Sequence, residues 1–285
     1  MKKSFSGFIL HGLSILLPLL YLLFIPGSCG SDQPGAPRTA VIEGFFNSDG
    51  YPTVLFSSSI SPSEEGSLRD ALINWGRVTI SDGRREVVLT GMADTRYLPP
   101  FRYTTTEMRG EPGKTYTVKA DFRELSATAS CRMPFPTPID SLTFEAADAD
   151  TLRATTLHFT SPADTPAFYY LSMRPQNTNT RESICMMGTI KAERPGEHYS
   201  IAVLRPRVKI DSVTYLSQLI VGEKWTVSLN RVEKEVYEFW KSYDNMVLFS
   251  SSPFLNSSES LPSNIRGGYG IWSPQGTSSL DFSVE

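Results

Sequence analysis

The sequence predicts a mostly β chain of two β-sandwich-like domains, the first immunoglobulin-like or transthyretin-like, the second carrying one amphipathic helix. Three observations predict it. Twenty Gly and twenty Pro in 285 residues suit a turn-rich chain better than a helical bundle. Turn signals recur at short intervals from Thr39 onward, and the segments between them alternate apolar and polar residues with a period of two, the mark of strands with one buried face. At 40% hydrophobic residues the chain has enough apolar material for a core, which excludes wholesale disorder. Three Cys in such a length exclude a disulfide-stapled miniprotein, and 27 basic residues against 30 acidic ones lack the basic excess of a nucleic-acid binder.

The first 28 residues read as a secretory signal. Lys2 and Lys3 precede an apolar run from Phe8 to Ile25, and small residues follow at Gly27-Ser28-Cys29. An uncleaved membrane-spanning helix is the alternative, since such a helix needs roughly 20 apolar residues. Pro18 interrupts the run, and Gly27-Ser28-Cys29 matches a bacterial lipobox apart from Pro26 at its first position, so Cys29 is expected to be acylated and to become the first mature residue. Removing Lys2 and Lys3 makes the mature chain more acidic than the precursor's net charge of −3. Residues 29–38, polar and rich in Pro and Gly, then form a flexible tether.

The N-terminal sandwich is expected over residues 39–133. Asn47-Ser48-Asp49-Gly50 reads as a hairpin loop between strands 39–46 and 51–59. Ser81-Asp82-Gly83-Arg84 joins Arg77–Ile80 to Glu86–Leu89, because Asp-Gly accommodates the positive φ angles of a tight hairpin. Glu111-Pro112-Gly113-Lys114 has the Pro-Gly centre of a type II turn and launches the alternating segment Thr115–Phe122, followed by a second from Leu125 to Cys131. Three prolines in Pro134–Pro138 cannot sit in a central strand and are read as a stiff linker.

Residues 139–285 are expected to form the second β domain, with strands at 139–144, 152–160, 167–174, 184–191, 199–204, 212–220 and 225–229. Within 231–247, Val232, Val236, Trp240, Tyr243 and Val247 fall on one face of an amphipathic helix. Ser263–Trp272 is Gly-rich but is followed by no Lys-Ser/Thr and launches no helix, so a strand with a bulge is expected rather than a phosphate cradle.

Several of these segments, taken in order, resemble one known family. They are the lipobox-like Cys29, Val41-Ile42-Glu43-Gly44-Phe45, Val78–Gly83, Gly113–Val118 and the ending Asn264–Trp272. Together they are similar to a Bacteroidota lipoprotein family catalogued as domain of unknown function 4249. The resemblance implies an outer-membrane lipoprotein in the company of a TonB-dependent transporter, and supplies no catalytic residues.

The chemistry-bearing residues are sparse. A hydrolase needs a nucleophile with a base in reach, and only His158 and His198 remain in the mature chain; both read as surface residues. There is neither a Gly-x-Ser-x-Gly elbow nor a His-Glu-x-x-His run. No catalytic residue, metal ligand or cofactor is therefore assigned. Glu64-Glu65 and Asp148/Asp150 lack calcium-loop spacing and read as solvated loops. Cys131 and Cys185 are read as buried free thiols, with a disulfide between the two domains as the alternative. The four Trp and twelve Tyr suit either a core or a ligand groove, and the ligand stays unknown. Asp140-Ser141-Leu142, Asp150-Thr151-Leu152 and Asp211-Ser212-Val213 match a short O-glycosylation pattern. The function expected is a non-enzymatic lipoprotein, held in the outer membrane through acylated Cys29, that serves a TonB-dependent nutrient uptake system as an accessory or ligand-capture component. The alternative is a surface adhesin or structural lipoprotein that binds host or matrix polymer.

Overall fold

The computed structural model describes residues 38–60, 68–147, 149–163, 166–176, 178–206, 208–209, 215–249 and 261–285. The signal segment, Cys29, Glu64-Glu65, Asp148 and Ser212 lie outside the described residues. From Arg38 to Glu285 the chain forms one compact unit. It is mostly β, as expected.

The first half contains β1 (Ala40–Asn47), β2 (Thr53–Ser58), the short helix α1 (Leu68–Ala71), β3 (Arg77–Ser81), β4 (Glu86–Val88), β5 (Thr90–Ala93), β6 (Phe101–Thr104), β7 (Thr115–Phe122) and β8 (Leu125–Arg132). The second half contains β9 (Ser141–Ala146), β10 (Leu152–Thr160), β11 (Ala167–Pro175), β12 (Ser183–Ala192), β13 (His198–Ala202), β14 (Val208–Lys209), β15 (Tyr215–Leu216), β16 (Leu219–Ile220), β17 (Lys224–Val232), helix α2 (Lys234–Phe249) and β18 (Gly268–Ser283).

The local turn chemistry places the hairpins where the sequence put them. Gly83 takes φ 83° and Gly113 φ 89°, the positive values that only glycine adopts without strain. Asp82 shapes the β3–β4 turn: its Oδ1 accepts the backbone N–H groups of Arg84 and Arg85, both at 3.0 Å, and its Oδ2 meets Lys114 Nζ at 3.1 Å. The backbone N–H of Arg85, with those of Arg84 and the Lys114 ammonium, holds the Asp82 carboxyl down at about 2. A carboxyl with a lowered folded-state pKa stabilises the fold above its ordinary value and loses that contribution as pH falls through the lowered one. Acid titration of Asp82→Asn against the wild type is therefore expected to show a stability difference that is full above about pH 4 and shrinks toward pH 2, read by urea midpoints at each pH.

The eight-stranded sheet runs β12-β11-β17-β18-β1-β2-β6-β5, and a second sheet runs β4-β3-β7-β8. Their facing surfaces enclose the first core, with Ile42, Phe46, Ile80, Tyr116, Val118 and Trp272 all inaccessible to solvent. A smaller sheet, in which β10 pairs β9, β13 and β16, closes the second core around Leu157, Phe159, Tyr169, Leu171, Val227 and Leu229. The first core draws on both sides of residues 134–138, since Ile265, Ile271 and Trp272 pack in it with Ile42, Phe46 and Tyr116. β18 leaves the second half to pair in parallel with β1, Ala40 opposite Gly268 through Asn47 opposite Gln275. One continuous sheet therefore serves both cores, and β11 and β17 are buried on both faces. Phe168 and Tyr170 lie under the helix that follows β17, against Tyr237 and Trp240, and Tyr169, Leu171 and Met173 face the second core.

The helix begins three residues later than the spacing predicts. Val232 ends β17, and the Glu233 carbonyl accepts the first helical N–H groups, those of Val236 and Tyr237. The buried face of α2 is Val236, Tyr237, Trp240 and Asp244, whereas Tyr243 stays 36% exposed. Asp244 accepts the N–H of Met187, a residue with φ 53° at the bulge that shifts the β11–β12 register.

Cys131 and Cys185 are buried free thiols in different cores. Burial raises the Cys131 thiol to about 12 and pushes Cys185 upward as well. Because the thiolate is the reactive form, neither is expected to react with Ellman's reagent at pH 8 until denaturant unfolds the chain. Rapid native labelling of either would contradict that packing.

Candidate functional site

The face of the large sheet opposite the first core carries a groove. Successive residues of a strand point to opposite faces, so as Ile42, Gly44 and Phe46 enter the core, Val41, Glu43, Phe45 and Asn47 face the other way. Parallel pairing sets Glu43 beside Ile271 and Asn47 beside Gln275 on that face. Tyr170, Ser172 and Arg174 of β11 continue it. Helix α2 lines the groove with Phe239, Trp240 and Tyr243, as do the loops around residues 96–98 and 178–182 and the start of β12. The space between measures about 1160 Å³, slightly more than a typical small-molecule pocket.

Beneath the groove lies a buried polar network. Tyr170 Oη donates to Gln275 Oε1 at 2.6 Å, and Gln275 Nε2 donates to Asn47 Oδ1 at 2.8 Å and Asn230 Oδ1 at 3.2 Å. Asn230 Nδ2 donates to Ser172 Oγ at 2.8 Å, and Ser172 and Ser228 both donate to Glu182, at 3.1 and 2.8 Å. Burial is the main cause that raises the Tyr170 hydroxyl well above its ordinary value, so it acts as a neutral donor. The floor satisfies itself, as buried polar groups must.

The rim is tied by charge. Asp94 holds Arg96 at 2.5 Å and Arg102 at 2.8 Å, and hydrogen bonding to Arg96 keeps its carboxyl far below the usual range. Arg96 reaches across to Asn179 Oδ1 at 3.4 Å. Arg181 bonds Glu43 at 2.6 Å while its guanidinium lies 5.7 Å from the Phe45 ring centroid and 5.3 Å from that of Tyr97. Trp240 stacks on Phe45, centroids 6.1 Å apart and planes inclined by 19°, and contacts Tyr170 at 5.5 Å.

The structure sorts the four tryptophans. Trp272 fills the first core, Trp225 the second, Trp240 banks the groove, and Trp75 is 85% exposed elsewhere on the surface. The two histidines, forty residues apart, come together on an outer face of the small sheet. Their rings stack with centroids 5.6 Å apart and planes 7° apart. His158 Nδ1 meets Ser200 Oγ at 2.9 Å, while its Nε2 meets Thr143 Oγ1 at 2.9 Å rather than a carboxylate. Asp140 lies 3.7 Å from His198 instead. Among the described residues no group of three or more His, Cys, Asp or Glu is placed to hold a metal ion, and no helix is long and apolar enough to cross a membrane. Ser141 and Thr151, of the glycosylation triplets, are exposed. The Gly-rich ending is a strand start: Gly270 has φ 111°, and a Cβ there would stand 1.9 Å from the Ile42 carbonyl oxygen, so only glycine lets β18 approach β1 this closely.

Sequence reasoning missed Arg96, Tyr97, Arg174, Arg181 and Glu182. Arg174 alone left a trace, as the one charge in the otherwise uncharged strand Ala167–Pro175.

Fold and groove together define a β-rich protein with an open, ring-lined, ligand-sized site on one face of its principal sheet. By sequence, the chain belongs to the family described as domain of unknown function (DUF4249), whose model matches residues 32–279. No curated protein matches it.

Proposed function

We propose that this protein is an outer-membrane lipoprotein, anchored through acylated Cys29, whose groove captures a ligand for a TonB-dependent transporter. The groove is the observation that carries the reading. It combines ligand-sized volume, aromatic banks and a floor whose polar groups are already paired, an arrangement suited to binding an organic molecule. In this reading residues 29–38, rich in Pro and Gly, serve as the tether between lipid and fold.

Affinity capture of the tagged native protein from solubilised outer membrane is expected to co-purify a TonB-dependent transporter. Recovery of none, under conditions that preserve other such complexes, would refute the partnership. A deletion strain with normal nutrient uptake but lost adhesion to host or matrix polymer would favour the adhesive reading instead.

A further inference from the structure

The groove has three guanidinium groups, and two are already neutralised. Arg96 is held by Asp94 and Arg181 by Glu43. The Arg174 side chain has no hydrogen bond, ion pair or ring contact among the described residues, although it is only partly exposed. The acid nearest to it by register is Glu182, since Met173 lies opposite Ser183. Glu182 is turned instead toward the hydroxyls of Ser172 and Ser228.

A second group on the same groove also lacks a partner. Trp240 is 7% exposed, and its buried indole N–H finds no acceptor. An unpaired buried donor costs free energy that an incoming acceptor restores. The two unsatisfied groups are both donors, one of them cationic, and the surfaces around them are the rings and aliphatic side chains of Phe45, Tyr97, Ile184, Phe239 and Ile271. A polyhydroxylated neutral ligand would need many free polar groups, but those of the floor are spent on one another.

Building on the ligand-capture reading above, we propose that the groove takes an amphiphilic anion: an apolar or aromatic body bearing a carboxylate or similar oxyanion. The oxyanion sits on the Arg174 guanidinium, which suits bidentate recognition. The body lies against Phe45, Phe239 and Trp240.

The test uses a matched pair of fluorescent probes on the full mature protein: 1-anilinonaphthalene-8-sulfonate and its uncharged counterpart N-phenyl-1-naphthylamine. Arg174→Gln is expected to weaken binding of the sulfonate about tenfold. It should leave the uncharged probe unchanged, Arg174→Lys should retain part of the affinity, and Phe239→Ala should weaken both probes. Circular dichroism and the melting temperature check that each variant is folded. If Arg174→Gln leaves sulfonate binding intact while Phe239→Ala weakens both probes, the oxyanion site is wrong and the ligand groove stands. If Phe239→Ala affects neither probe, the groove reading itself falls. Competition with dodecanoate and with 3-(indol-3-yl)propanoate, each beside its methyl ester, then separates an aliphatic from an aromatic source. Displacement by an acid but not its ester supports the proposal, and displacement by neither acid, or equally by ester, overturns it.

Discussion

Trp272→Ala is expected to cost about 3–5 kcal/mol of folding stability, enough to leave a marginal domain largely unfolded at physiological temperature. The side chain is wholly buried in the first core, against Phe46, with its Nε1 donating to the Tyr116 carbonyl at 2.9 Å. Truncation opens a cavity between the two sheets and orphans that carbonyl. The ring is also fitted to a glycine opposite. A Cβ at Gly44 would stand 2.5 Å from Trp272 Cε3, so Gly44→Ala attacks the same contact from the other strand. The two substitutions are expected to be clearly non-additive, because the smaller residue at 272 makes room for the larger at 44. Urea unfolding of the single and double variants measures this; simple additivity would mean the ring does not rest on β1 as described.

Cys29→Ala has the largest effect expected on location. If Cys29 carries the lipid, the variant should lose all incorporation of labelled fatty acid and leave the membrane fraction as a soluble, folded protein. The physical reason is cumulative: each buried methylene contributes about 0.8 kcal/mol, and stable anchoring takes two or more chains. Unchanged labelling would remove the anchor from the proposal, whereas lost labelling with full membrane retention would point to a second attachment. The groove is on the folded unit, so probe binding should be the same in this variant.

How much of this was legible follows from how local each signal is. The turns at Asp82-Gly83 and Pro112-Gly113 were readable because a few adjacent residues determine them, and β7 and β10 match their sequence patterns end to end. The start of α2 was misread because Val232, the last strand residue, happens to extend the spacing of the helix's apolar face. The parallel partnership of β1 with β18 had no local signal at all. Asn47 and Gln275, bonded side chain to side chain, are 228 residues apart. The groove inherits that difficulty. Its floor mixes β1, β11, β17 and β18, and residues such as Ser172, Ser228 and Asn230, which look like surface positions in isolated strands, become buried only when those strands meet. The two thiols were readable because each falls in a strand of a different expected domain, with Cys131 on the apolar side of its strand, and the structure buries them in different cores.

The seat of β1 has a mechanical consequence. This strand begins two residues after Arg38, next to the segment proposed as a tether, and it is hydrogen-bonded along both edges, to β2 and to β18. If that segment is the tether, a pull delivered through it acts along the strand axis. The ladder bonds lie across that axis and are loaded together rather than one after another. Such a strand resists force by shear and does not peel. Wherever the leash is fixed, the first piece of the fold to feel tension is the one best clamped to withstand it.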